Sequence, residues 1–114
     1  MVLEHAVLEV VAGREAAFEE AFAEAKILIS SAEGFRSLRL SRCLEQPNRY
    51  LLLVEWDRLE DHTEGFRRSA AYGRWRELLH HFYDPFPTVE HYATHLHIGA
   101  PATDADAAPE VGRG

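Results

Sequence analysis

The side chains best able to move a proton or steady a charge lie between Trp56 and Arg76. His62 follows Trp56 by six residues, and an imidazole can take up a proton near neutral pH. Tyr72 and Trp75 stand at helical spacing and can line a core or a pocket. Arg76 comes next, and a fixed guanidinium favours an anion beside it. Each residue also has an ordinary structural role open to it: Trp56 as core, His62 on a helix surface, and Arg76 exposed and bridging Glu77 or Asp61.

Seven histidines raise the question of a metal. His95 and His97 share one face of a strand, and His80 and His81 close a helix. Adjacent helical residues point about 100° apart, however, and no Cys or carboxylate completes a ligand spacing, so no metal is expected. Cys43, beside Arg42, has no base supplied by any pattern and reads as a small apolar filler. No glycine-rich dinucleotide fingerprint is present.

The elements that must hold these groups follow from periodicity. Val2 to Val11 reads as a strand closed by Ala12-Gly13. Phe18, Ala21, Phe22, Ala25, Leu28 and Ile29 then recur at helical spacing, opposite Glu15, Glu19, Glu20 and Glu24, in a helix that stops near Gly34. Phe35 to Leu44 alternates, with Leu38, Leu40 and Leu44 on one face. Glu45 to Asn48 makes a turn, and Tyr50 to Trp56 is the most hydrophobic strand. Asp57, with Glu60 three residues later, predicts the start of a second helix. That helix breaks near Ser69, which caps a segment carrying Tyr72, Trp75, Leu79 and Phe82. Asp84-Pro85-Phe86-Pro87 ends it, and Thr88 to about Ile98 forms the last strand.

The order β-α-β-β-α-β predicts an α+β, ferredoxin-like antiparallel sheet with both helices on one face. The first and third strands are apolar on both sides, so a second copy of the chain is expected to cover the open face. One domain spans residues 1–98, and residues 99–114, small, polar and proline-containing, are expected to be a disordered tail. The net charge of −7 and pI near 5.4 exclude nucleic acid as a partner, since phosphate binding needs clustered Lys and Arg. Glu4 and Glu9 interrupt the N-terminal apolar stretch, and no run reaches about 18 apolar residues, so neither secretion signal nor membrane span is expected. With a single cysteine, the expected location is the cytoplasm.

The order of elements, Gly34-Phe35, the run YLLLVEW ending at Trp56, and LEDHTEGFR from Leu59 to Arg67 together resemble the antibiotic biosynthesis monooxygenase family of dimeric α/β barrels. Leu78 to Tyr92, LLHHFYDPFPTVEHY, resembles uncharacterised members of that family. The resemblance implies a homodimer with a pocket between each sheet and its own helices. It also implies oxygenation without flavin, haem or metal, as in members that convert polycyclic phenols to quinones. The substrate expected is a hydrophobic aromatic or polyketide-like molecule, oxidised by dioxygen with no cofactor. Trp56 matches a pocket tryptophan of those relatives, His62 stands where they carry a tyrosine and would be the base, and Arg76 falls near their arginine and would stabilise an anion. Tyr72, Trp75, Leu52 and Phe66 would bind substrate, with Leu52 in place of an asparagine. A dimeric small-ligand-binding protein and a proton-transfer isomerase are the alternatives on the same fold. Haem degradation fits poorly, because the first strand has no asparagine and Trp75-Arg76 occupy the position of the liganding histidine.

Overall fold

The structure, a computed structural model, describes residues 1–100. Four strands, β1 (Val2–Glu9), β2 (Phe35–Arg42), β3 (Arg49–Trp56) and β4 (Val89–Tyr92), form one antiparallel sheet in the order β2-β3-β1-β4. Helix α1 (Glu15–Ser30) links β1 to β2. A π-helical turn (Asp61–Phe66), helix α2 (Ala70–Leu79) and a short 3-10 turn (His80–Phe82) link β3 to β4. This is the expected α+β, ferredoxin-like arrangement. In a single chain the sheet is open.

Alternation decides what each face carries. Ala6, Leu8 and Val10 from β1 and the residue after it, and Tyr50, Leu52, Val54 and Trp56 from β3, are buried toward the helices. Phe18, Phe22, Ala25 and Ile29 of α1 and Trp75 and Leu79 of α2 meet them. Phe18 is fully buried and sits among the rings of Phe22, Tyr50, Phe82 and Tyr83, so it alone contributes about 2–3 kcal/mol of burial. The opposite face stays half-exposed and partly apolar: Leu3, Leu51 and Leu53 are intermediate, and Val7 and Tyr92 are 38% and 49% exposed.

Gly34 is a position where the fold tolerates no side chain. Its φ is +83°, and a Cβ there would lie 2.1 Å from Asp61 Oδ2. The Gly34 carbonyl accepts from the Asp57 N–H at 2.8 Å, so the turn after β3 is held against the start of β2. This close approach packs the π turn over the sheet end.

Three boundaries differ from the sequence reading. Leu44 is 93% exposed, because β2 ends at Arg42 and leaves it in the turn. The second helix does not begin at Asp57, whose carboxylate pairs with Arg36 at 2.9 Å. Asp61, buried, instead accepts from the Arg58 N–H and guanidinium, each at 3.1 Å. The last strand is four residues long and does not reach Ile98. Tyr92 pairs with Leu3, one position from the first residue of β1, so little of β1 remains for a longer β4 to pair with. His95 and His97 therefore do not share a strand face. The expected break at Ser69 is present, with its hydroxyl accepting from the Tyr72 N–H at 3.2 Å. Most of the expected disordered tail, residues 101–114, lies outside the described residues. Among the described residues no helix is long and apolar enough to cross a membrane.

Candidate functional site

At the Trp56 end of β3 the alternation that builds the core also buries a carboxylate. Glu4 has the same parity as Ala6 and Leu8, so its side chain turns to the helix-covered face, where it is 5% exposed. A buried carboxylate needs a donor. Trp56 Nε1–H supplies one at 2.9 Å, diagonally across the β1–β3 pair.

The π turn brings a second polar group. In such a turn the N–H of one residue reaches the carbonyl five back, here Arg67 to His62 at 2.9 Å, and this irregularity recurs at functional sites. Its effect is to turn His62 and Phe66 inward together. The His62 ring stacks on Trp56 at 5.4 Å with 17° between planes. Its Nε2 lies 3.4 Å from Glu4 Oε1, and its Nδ1 lies 2.8 Å from Nε2 of His91. His91 belongs to β4, directly opposite Glu4 in register. With Glu4 ionised, the tautomers that satisfy this set have His62 Nε2–H directed at Glu4 and His91 Nε2–H donating to His62 Nδ1.

Burial pushes the Glu4 carboxyl up from 4.5 to about 6, against the Trp56 N–H and the Arg67 charge, which pull it down. Burial pushes His62 down from 6.5 to about 3, with the Arg67 charge and His91 adding to the shift. At neutral pH Glu4 is therefore mostly ionised and close to protonation, while His62 is neutral. A carboxylate with a pKa so near the working pH is suited to act as a base.

Glu4 and His62 line a cavity of about 220 Å³. The structure brings Leu52, Phe66, Tyr72 and Trp75 to the same lining, so the walls are apolar and aromatic. Toward solvent the lining passes to His80, Tyr83 and Phe86, whose rings lie within 6.0 Å of one another. Trp56 is fully buried and outside the lining, and acts on the cavity through Glu4 and His62. Arg76 is exposed on α2 and does not reach the cavity. One turn separates it from Tyr72, yet its side chain leaves on the solvent side of the helix. The bridges foreseen for it are made by others, since Asp61 pairs with Arg58 and Glu77 with Arg74. The cation at the cavity is Arg67. His62 is 3% exposed, which rules out a helix-surface position. Among the described residues no group of three or more His, Cys, Asp or Glu is placed to hold a metal ion.

Glu4, Arg67 and His91 were not singled out from sequence. For Glu4 the signal was there: an acidic residue in phase with Ala6, Leu8 and Val10 must either be buried or break the strand's alternation. For Arg67 and His91 there was none, since a π turn and a four-residue strand set their positions.

Residues 1–78 match the family model described as antibiotic biosynthesis monooxygenase. The chain is 54% identical over 92 residues to the uncharacterized Bacillus subtilis protein YczJ, covering 81% of this chain and 97% of that one. It is similar to the crystal structure of a Bordetella bronchiseptica protein assigned to the same family, with TM-score 0.78, 37% identity, and 83% and 97% of the two chains covered. It also shares its fold with a mutant of SnoaB, a cofactor-independent oxygenase from Streptomyces nogalater, at TM-score 0.67 and 19% identity over 87% and 97% of the two chains.

Proposed function

The chain belongs to the antibiotic biosynthesis monooxygenase family, and we propose that it is a cofactor-independent oxygenase for a compact phenol of one or two rings. The observation that carries this reading is the buried Glu4 carboxylate, raised to about 6, at the wall of an aromatic cavity. The cavity volume, about 220 Å³, lies below the roughly 300 Å³ at which pockets for drug-sized ligands begin. A four-ring polyketide is therefore disfavoured.

In the proposed reaction Glu4 takes the phenolic proton, with His62 Nε2–H and Trp56 Nε1–H both directed at its Oε1. The phenolate passes one electron to dioxygen, giving a phenoxyl radical and superoxide, which combine at a ring carbon that bears hydrogen. Glu4 returns its proton to the peroxide. It next removes the proton from that carbon as the O–O bond breaks, and the departing hydroxide takes this proton and leaves as water. One phenol and one dioxygen become one quinone and one water. Leu52, Phe66, Tyr72 and Trp75 orient the ring, and Arg67 takes the anion-stabilising role first assigned to Arg76. Position-specific proton transfer of this kind is worth about 10²–10⁴ in rate.

Oxygen uptake by metal-free protein with a panel of naphthols and smaller phenols tests the reading. Uptake that falls at least 100-fold in Glu4→Gln, and stays near wild type in Arg76→Gln, is the expected result. Tight binding of the same compounds with no uptake would make the chain a small-ligand-binding protein. Exchange of a substrate C–H proton without oxygen consumption would make it an isomerase.

The half-exposed apolar sheet face supports a homodimer in which two such faces close into a barrel. Sedimentation at micromolar concentration should give about twice the 13.0 kDa of one chain, and a species of single-chain mass would overturn this.

A further inference from the structure

Glu4 stands at the inner wall of the cavity, so a bound ring covers the side from which water could reach it. Covering also strengthens the desolvation that already favours its protonated form. A base in that position needs a second route to solvent if it is to be ionised while substrate is bound. The structure has one behind the cavity: Glu4 Oε1 to His62 Nε2 at 3.4 Å, then His62 Nδ1 to His91 Nε2 at 2.8 Å. His91 does not line the cavity. It lies on β4, at the edge of the sheet, and is half-buried.

We infer that Glu4, His62 and His91 form a proton wire that exchanges the Glu4 proton with solvent at the sheet edge while substrate fills the cavity. The inference rests on the proposed role of Glu4 as base. When Glu4 is ionised, His91 Nε2–H donates to His62 Nδ1, and His62 Nε2–H faces Glu4. When Glu4 holds a proton, it gives that proton to His62 Nε2 as the His62 Nδ1 proton passes to His91 Nε2, and His91 releases its Nδ1 proton to water. No bond other than N–H and O–H changes, and neither ring need carry a charge for long. The titratable and charged groups facing His62 are Glu4 from β1, His91 from β4 and Arg67 after the π turn. Burial, and after it the Arg67 charge, disfavours an imidazolium at either ring, which suits a wire that passes protons on and does not store them.

His91→Gln keeps an N–H donor for His62 Nδ1 but cannot pass a proton. His91→Ala opens the same place to small molecules. Both should lower kcat roughly tenfold or more with KM unchanged, and added imidazole should restore turnover in His91→Ala alone. In parallel, ¹⁵N spectra of the unliganded protein should show the His62 and His91 tautomers switching together as Glu4 titrates. Undiminished kcat in both variants, or a His62 tautomer constant through the Glu4 titration, would overturn the wire. Should no phenol be oxidised, the spectra still decide whether it exists, so its failure is separable from that of the oxygenase reading.

Discussion

The two ends of β3 carry the same device and use it differently. At one end the Tyr50 hydroxyl donates to Glu19 Oε2 at 2.5 Å, and at the other the Trp56 N–H donates to Glu4 Oε1 at 2.9 Å. Both aromatic side chains are buried, at 2% and 0% exposure. The carboxylates are not alike. Glu19 is 49% exposed and has Arg42 at 3.5 Å, so water and a cation already stabilise its charge. Glu4 is buried with a neutral imidazole beside it. The first pair ties α1 to the start of β3, and burial and the neighbouring carboxylate push the Tyr50 hydroxyl up to about 12. The second holds a carboxylate poised at about 6. Burial of the acceptor, with the hydrogen bond common to both, separates a structural tie from a carboxylate that titrates near neutral pH.

Removing the donor at each end gives the largest contrast. Trp56→Phe strips a buried carboxylate of its hydrogen bond and leaves unfilled volume, which should cost about 3 kcal/mol at pH 8. Tyr50→Phe leaves Glu19 free to turn to water and should cost about 1 kcal/mol. Urea unfolding of the two variants measures both. Equal costs would mean that Glu4 is no less hydrated than Glu19, and would remove the basis for treating it as a base.

Removing the charge should reverse the usual expectation that deleting a hydrogen-bonded carboxylate destabilises. Above pH 6 wild type carries Glu4 ionised in a site that favours its neutral form, so Glu4→Gln should stabilise the fold by about 2 kcal/mol at pH 8, from a rise of 4.5 to about 6. At pH 4, where Glu4 is protonated in both folded and unfolded chains, the gain disappears. Glu19→Gln should show no such gain. His62 has the opposite sign: its lowered pKa stabilises the fold above 6.5, and this is lost as the pH falls toward about 3. The two contributions oppose each other between about 6 and 4.5. In Glu4→Gln the loss due to His62 should therefore show from about 6.5 downward, read as the difference from the double variant with His62→Gln. Flat curves over that range would contradict a buried neutral imidazole.

The fold was legible because its signals are local and repeated. Phe18 to Ile29 shows helical spacing over three turns, and YLLLVEW has no reading but a buried strand. The candidate site was legible only in part. Leu52, His62, Phe66, Tyr72 and Trp75, all singled out from the sequence, do line one cavity, because aromatic and imidazole side chains near the end of an apolar strand are few. Arg76 was misplaced because a helix turned by about 100° per residue sends it away from Trp75, its neighbour. His91 depends on a strand register between residues nearly ninety positions apart, and no local pattern encodes that pairing. Glu4 could have been found by parity alone.

The smallest effect isolates the role of distant charge. Arg67 lines the cavity without a hydrogen bond to Glu4, and its charge pulls the Glu4 carboxyl down against the burial that lifts it. Arg67→Gln should move the Glu4 titration upward, measured by carboxyl-carbon NMR, while leaving stability at pH 4 unchanged, where Glu4 is neutral. Arg42→Gln at the other end of β3 breaks an exposed pair and should cost about 0.5 kcal/mol with the Glu4 titration unmoved. If Arg67→Gln also left that titration unmoved, solvent would be screening the guanidinium from the cavity. The anion-stabilising role would then fall to the Trp56 and His62 N–H groups, and turnover in Arg67→Gln should match wild type. An upward shift with slower turnover would place the guanidinium within reach of the reacting ring, where the same field that steadies Glu4 also steadies a phenolate.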